Sequence, residues 1–400
     1  MTYKFQFAGK SALIFALLFG LAAGFGGFSF SSQAAGSPER VIVTFEGPVN
    51  DSARAALENF GGKVLKELPL VNGLVVLLPD KTMVSSVGAL SGVKKVEPDA
   101  MVFAMGRPAP APQPTENLEW GVDRVDADLA WAVSKGNGVK VAIIDTGIDK
   151  DHPDLVANLK GGVNFTSRFS TRWNDDNGHG THVAGIVAAV DNTIGVIGVA
   201  PEAHLYAVKV LDRNGSGYVS TVIKGIEWAK NNGMQVVNMS LGTASDVQAL
   251  HDAVDAAYAA GLVLVAAAGN SGDGNGSTNE VIYPAKYSSV IAVAATASDD
   301  SKPTWSSEGA EVELAAPGLN IRSTWNDGQY KTISGTSMAT PHVAGTVALV
   351  LGKGGIISPA EVRALLQVTA DDLGPLGRDN FYGYGLVDAE ESVTGTQTNP

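Results

Sequence analysis

Residues 139–149 read VKVAIIDTGID, and this stretch decides what kind of sheet the chain builds. Val141 to Ile144 are apolar in succession, without polar alternation. A strand with one wet face alternates, whereas one covered on both faces does not; such strands belong to parallel sheets lying between helices. HLYAVKVL (204–211), MQVVNMSL (234–241), LVLVAAAGN (262–270) and VIAVAAT (290–296) have the same character. Between them, GHGTHVAGIVAAV (178–190), VSTVIKGIEWAKNNG (219–233) and DVQALHDAVDAAYAAG (246–261) have helical spacing, as does SMATPHVAGTVALVLGKG (337–354). Strands alternating with helices predict a doubly wound parallel α/β sheet over 116–392. In such sheets function sits at the carboxyl ends of the strands, where Asp145 stands.

The bulk numbers exclude several functions. A formal charge of −13 without any basic block argues against nucleic acid, whose phosphates recruit Lys and Arg. The absence of cysteine removes disulfides, a thiol nucleophile and a Cys-ligated zinc site. Lys4 and Lys10 come before the apolar run SALIFALLFGLAAGFGGFSF, which ends in SSQAAGS with Ser32 and Ala34 at a small-residue cleavage site. That pattern predicts a cleaved signal peptide over 1–34, export, and no stable membrane association. Residues 35–105 carry RVIVTFE, NDSARAALENFGG, KVLKELPLVNGLVVLLP, TMVSSVGALSG and VKKVEPDAMVFA, in the order β-α-β-β-α-β of a small ferredoxin-like α+β unit. A unit this small is marginal alone and is expected to lean on the larger domain. A Pro-rich extended linker (106–115) follows it, and 393–400 reads as a disordered tail.

Three residues need one another. A serine hydroxyl is a poor nucleophile until an imidazole can take its proton, and the imidazole needs a carboxylate to fix its tautomer. Asp145, His179 and Ser337 supply these groups at the ends of sheet elements, in that chain order. His179 and His182 share a His-x-x-His spacing, but no third ligand is nearby, so His182 reads as a core histidine. Asp149 and Asp151 read as solvated loop carboxylates.

VAIIDTGIDKDHPDL (141–155), NGHGTHVAGIVAA (177–189), AAAGN (266–270) and SGTSMATPHVAG (334–345) resemble the signature segments of the subtilisin-like serine proteases. The resemblance covers nearly all of 116–392. It implies that Asp145 orients the imidazole, His179 is the general base and acid, Ser337 is the nucleophile, and the Asn270 amide is an oxyanion donor. Substrate would bind as an added strand between Gly215, Ser216 and Gly217 on one side and Ser240, Leu241 and Gly242 on the other. Ala268 and Gly269 would complete an apolar P1 pocket, which implies broad specificity for large uncharged residues. Ile282 stands where the family often has a glycine at the pocket floor. The resemblance also implies a structural Ca2+ held by Glu116, Asp154, Val190, Asn192, Ile194 and Val196. It makes 35–105 an inhibitory propeptide, cut by the enzyme itself between Met105 and Gly106, with Met105 at P1 and Val102 at P4. Met338, beside the nucleophile, would be the oxidant-sensitive point. The expected enzyme is a secreted monomer acting on protein and peptide substrates. A catalytically silent relative or an esterase using the same serine are the alternatives, and peptide hydrolysis separates them from it.

Overall fold

The structure is a computed structural model and describes residues 37–104, 107–108, 115–355 and 358–395. The expected signal peptide, Met105, Gly106 and the end of the tail lie outside the described residues, as does most of the expected linker. Seven parallel strands form the main sheet, in the order Val312–Pro317, Ile291–Thr296, Val263–Ala267, Val236–Met239, Lys140–Asp145, His204–Lys209, Leu159–Asn164. The five inner strands are the ones expected from their apolar runs. The two edge strands carry a weaker signal: LKGGVN contains two glycines, and VELAAP contains Glu313 and ends in proline.

The lack of alternation has its expected consequence. Val141 and Ile143 point into one core, against the helices His179–Ala188 and Thr336–Lys353. Ala142 and Ile144 point into the other, against Val219–Asn231 and Gln248–Ala259. All four side chains are fully buried, so each strand residue contributes to one of two cores. Among the described residues no helix is long and apolar enough to cross a membrane.

The N-terminal unit is an antiparallel sheet ordered Lys63–Leu68, Gly73–Leu78, Glu39–Phe45, Val93–Pro98, with helices Asp51–Asn59 and Val84–Gly88. Asn50 caps the first helix, its Oδ1 accepting from Ala53 N at 2.9 Å. Val41, Val43, Leu74 and Val76 pack under the unit's own helices. Ile42, Leu68 and Val75 face the other way and join the core that contains Val222 and Ile226. One face of this small sheet is thus completed by the larger domain.

Two carboxylates fasten the contact. Glu97 accepts from the N–H groups of Gln248 (2.7 Å) and Ala249 (3.2 Å), at the start of one helix. Asp99 accepts from Ser220 N (2.9 Å) and Ser220 Oγ (2.6 Å) at the start of its neighbour, and pairs with Arg40. Each charge meets unpaired N–H groups and the positive end of a helix dipole.

VKKVEPDAMVFA does not form one closing strand. Pro98 lacks an N–H, and Ala100 N turns back to Pro98 O, so the run breaks in two. Met101–Ala104 leaves the small sheet and lies between Ser216–Tyr218 and Leu241–Gly242, antiparallel to both. Further on, Arg107–Pro108 is a strand rather than free linker, paired with Ile333 and Ser334. Replacing Asp99 with Ala should lower the unfolding free energy of the full-length chain by about 1–3 kcal/mol, through a lost cap at Ser220 and a lost ion partner for Arg40. Urea titration reads this directly.

Candidate active site

Asp145 ends the inner strand Lys140–Asp145 and is fully buried. Its Oδ1 accepts from Thr146 N at 2.7 Å, and its backbone oxygen accepts from Val210 and Leu211 of the adjacent strand connection. His179 Nδ1 lies 2.9 Å from both carboxylate oxygens. The carboxylate therefore fixes which ring nitrogen carries hydrogen and leaves Nε2 for proton transfer.

His179 opens its helix, and the turn before it is organised by Asp175. That carboxylate accepts from Asn177 N, Gly178 N, Thr181 N and Thr181 Oγ1, at 2.9, 3.0, 3.0 and 2.6 Å. Gly178 has φ +110°, and a Cβ there would sit 2.2 Å from the Trp325 ring, so only glycine fits. His182 is buried one turn on, its Nε2 within hydrogen-bond distance of the Ile321 and Lys331 carbonyls. Burial pushes its pKa down to about 3, so it is a neutral core residue, as expected.

Ser337 is the second residue of the helix Thr336–Lys353 and is buried. Its Oγ donates to Ser240 O at 3.1 Å, while Ser240 Oγ donates back to Ser337 O at 2.8 Å. Asn270 follows the strand Val263–Ala267, and its Oδ1 accepts from Thr336 N (2.9 Å) and Thr336 Oγ1 (3.0 Å). With the amide oxygen so held, Nδ2 is the end that can donate to a substrate. Thr336 carries no signal of its own in the sequence, and Ser240 is expected there only as part of the substrate edge; in the structure Thr336 also holds the Asn270 amide and Ser240 also exchanges bonds with Ser337.

The two expected edge segments do carry an extended strand. Gly217 pairs with Val102 and Ser216 with Phe103, while Leu241 pairs with Ala104 and Gly242 with Phe103. Gly215, at φ +72°, turns the chain into the first segment. Val102 is buried in the core that includes Val219, Val222, Leu241 and Leu250. Ala268 is buried, and Gly269 (φ +125°) follows it. A Cβ on Gly269 would come within 2.6 Å of Ser307 Oγ, which fixes that wall.

The residues expected around a cation also come together. Asp154 is fully buried and accepts from Asn192 Nδ2 (2.8 Å), Val196 N (3.1 Å) and Tyr330 Oη (2.7 Å). Glu116 Oε1 accepts from Asn192 N at 2.8 Å. Asn192 Oδ1 accepts from Ile194 N, and Val190 N donates to Asp154 O. Among the described residues, no ion pair involves Asp154 or Glu116. A buried carboxylate met only by neutral donors is costly, and a hard cation with oxygen ligands fits such a place. Asp149 differs from expectation. It is buried rather than solvated, with its N–H donating to Thr181 Oγ1 and its Oδ1 accepting from Asp151 N. It braces the turn behind the His179 helix.

The subtilase family model matches residues 136–385. Subtilisin E of Bacillus subtilis (strain 168) is 42% identical over 373 residues, covering 91% of this chain and 94% of that protein. Subtilisin DY of Bacillus licheniformis is 52% identical over 280 residues, 70% of this chain and 99% of the relative. An alkaline protease of Alkalihalobacillus alcalophilus is 47% identical over 303 residues, 75% and 74% of the two chains. A parallel sheet with a buried Asp–His pair at its carboxyl edge and a serine opening a nearby helix agrees with these likenesses: the chain belongs to the subtilase family and is a serine endopeptidase acting on peptide substrates.

Proposed function

We propose that this subtilase is exported, hydrolyses peptide bonds through Asp145, His179 and Ser337, and matures by cutting itself between Met105 and Gly106. One observation carries the proposal. The uncut chain occupies its own cleft, with Met101–Ala104 between the two edge segments and Arg107–Pro108 on Tyr330–Ser334. The strands thus bracket the junction at which the cut is proposed. The small unit of residues 35–105 is then a propeptide and intramolecular inhibitor, docked through Glu97 and Asp99. Export rests on the sequence pattern of residues 1–34.

In the reaction, Ser337 Oγ attacks the scissile carbonyl carbon while its proton passes to His179 Nε2. Asp145, at Nδ1, stabilises the imidazolium that results. The carbonyl oxygen becomes an oxyanion, met by Asn270 Nδ2 and the Ser337 N–H at the positive end of its helix. His179 then gives its proton to the leaving amine, the C–N bond breaks, and an acyl-enzyme remains. Water repeats the sequence and frees the acid. Backbone pairing supplies most of the binding, so specificity is broad, with uncharged P1 residues favoured. Asp154, Glu116 and the 190–196 loop would hold the structural Ca2+, which would neutralise their charge and brace the loop.

The first test is the intact mass and N-terminal sequence of full-length protein, wild type beside Ser337→Ala. The wild type should yield a product beginning at Gly106 and the variant should stay uncut; identical maturation of both would defeat self-processing. Asn270→Leu should lower kcat by about 10²–10³ with little change in KM, a magnitude that comes from subtilisin itself. For the cation, chelation should lower the Tm of the wild type. Asp154→Asn should start lower and no longer respond to added calcium. A wild-type Tm indifferent to chelation would remove the cation from the account.

A further inference from the structure

Lys209 ends the strand beside Asp145, and the two residues are partners in the sheet register. Its side chain is only 3% exposed, and an ammonium is costly to bury unless it is paired. Its Nζ makes two short bonds, each to a different side of the acid–base contact. One goes to Thr146 O at 2.5 Å, in the turn that follows Asp145. The other goes to Asp176 Oδ1 at 2.6 Å, in the turn that opens the His179 helix. Thr146 in turn donates its N–H to Asp145 Oδ1 and accepts Gly180 N on its Oγ1. Asp176 is followed by Asn177, whose Oδ1 accepts from His179 N at 3.1 Å. The backbone after Lys209 is fixed as well, since Val210 N and Leu211 N both donate to Asp145 O. One buried ammonium thus joins the turn of the carboxylate to the turn of the imidazole.

We infer that Lys209 is a positioning residue for peptide hydrolysis: it straps Asp145 to His179 and, with Asp176, sets the charge against which the imidazole takes its proton. This rests on the triad reading above and adds a fourth, indirect member to it. An apolar side chain of similar length could fill the space but could not hold the Thr146 carbonyl. The ion pair is unequally placed, because Lys209 is buried while the Asp176 side chain is 56% exposed. A positive charge nearby opposes the imidazolium, and a negative one favours it. Removing one member or the other therefore moves the protonation of His179 in opposite directions, which a purely structural role would not do. On the elements packed around the helix start, Asp149, Asp175, Arg213 and Lys331 also carry charge, and they are the same in every variant. Burial holds His182 and His342 neutral, with pKa values pushed down to about 3 and about 4.

The test follows kcat/KM for an uncharged p-nitroanilide peptide against pH at low ionic strength, in wild type, Asp176→Asn and Lys209→Met, with Ser337→Ala as control. The acid limb of this profile reports the base of the free enzyme. Asp176→Asn leaves the ammonium unbalanced, so the limb should move down by about 0.3 pH unit or more. Lys209→Met leaves the carboxylate unbalanced, so the limb should move up by about 0.5–1 unit. Loss of the strap should also lower kcat in Lys209→Met about tenfold, with KM little changed. Asp176 is exposed, so its variant should fold, and it decides the matter alone if Lys209→Met does not. A limb in Asp176→Asn that stays within about 0.1 unit or moves up overturns the inference, as does an active Lys209→Met with an unmoved limb. A wild type that does not cut the peptide, or a Ser337→Ala protein that does, overturns the triad reading instead.

Discussion

The active centre depends on how closely one helix can approach one strand end. The helix beginning at His179 runs against the Thr146–Gly147 turn, and a Cβ on Gly180 would lie 2.2 Å from Gly147 O. With no side chain there, Gly180 N reaches Thr146 Oγ1 at 2.9 Å, and the imidazole comes down onto Asp145. Any larger residue would lift the helix off the sheet and separate the imidazole from the carboxylate. Everything around this contact keeps it in place: Asp175 binds the helix start, Trp325 covers Gly178, and Asp149 braces the turn behind.

The same economy governs the docking of the small N-terminal sheet. Its unit has too little apolar surface of its own, so Ile42 and Val75 share a core with Val222 and Ile226. Apolar contact alone would leave the sheet free to slide, because it has no direction. Glu97 and Asp99 remove that freedom, since each must meet particular N–H groups at a helix start. Orientation comes from the two acids, and adhesion from the aliphatic face.

Much of this was legible in the sequence because the deciding residues are local. The unbroken apolar run at 141–144 marks a strand buried on both faces, Asp145, His179 and Ser337 are the groups that a serine nucleophile requires, and their chain order is legible through the resemblance to the subtilisin-like proteases. What escaped notice depends on partners far away in the chain. Glu97 and Asp99 stand two residues apart in VEPDA, yet nothing local says that two helix starts lie opposite them. The edge strand LKGGVN was hidden by its glycines, which lower strand propensity although the neighbour 204–209 holds it. Asp149 reads as solvated because the residue that takes its backbone N–H, Thr181, is 32 positions away.

In the maturation proposed above, joining inhibitor and enzyme in one chain would make their contact dependent on dilution only after the cut. Before the cut, the strand at 101–104 competes for the cleft at the high local concentration set by its tether. After the proposed cut the same strand, sheet face and pair of acids would bind as a separate molecule, and occupancy would fall as the protein spreads into a larger volume. Backbone pairing does not distinguish this strand from any other peptide that fits, so substrate itself competes for its place. An enzyme arranged in this way would stay quiet where it is crowded and become active where it is dispersed among substrate.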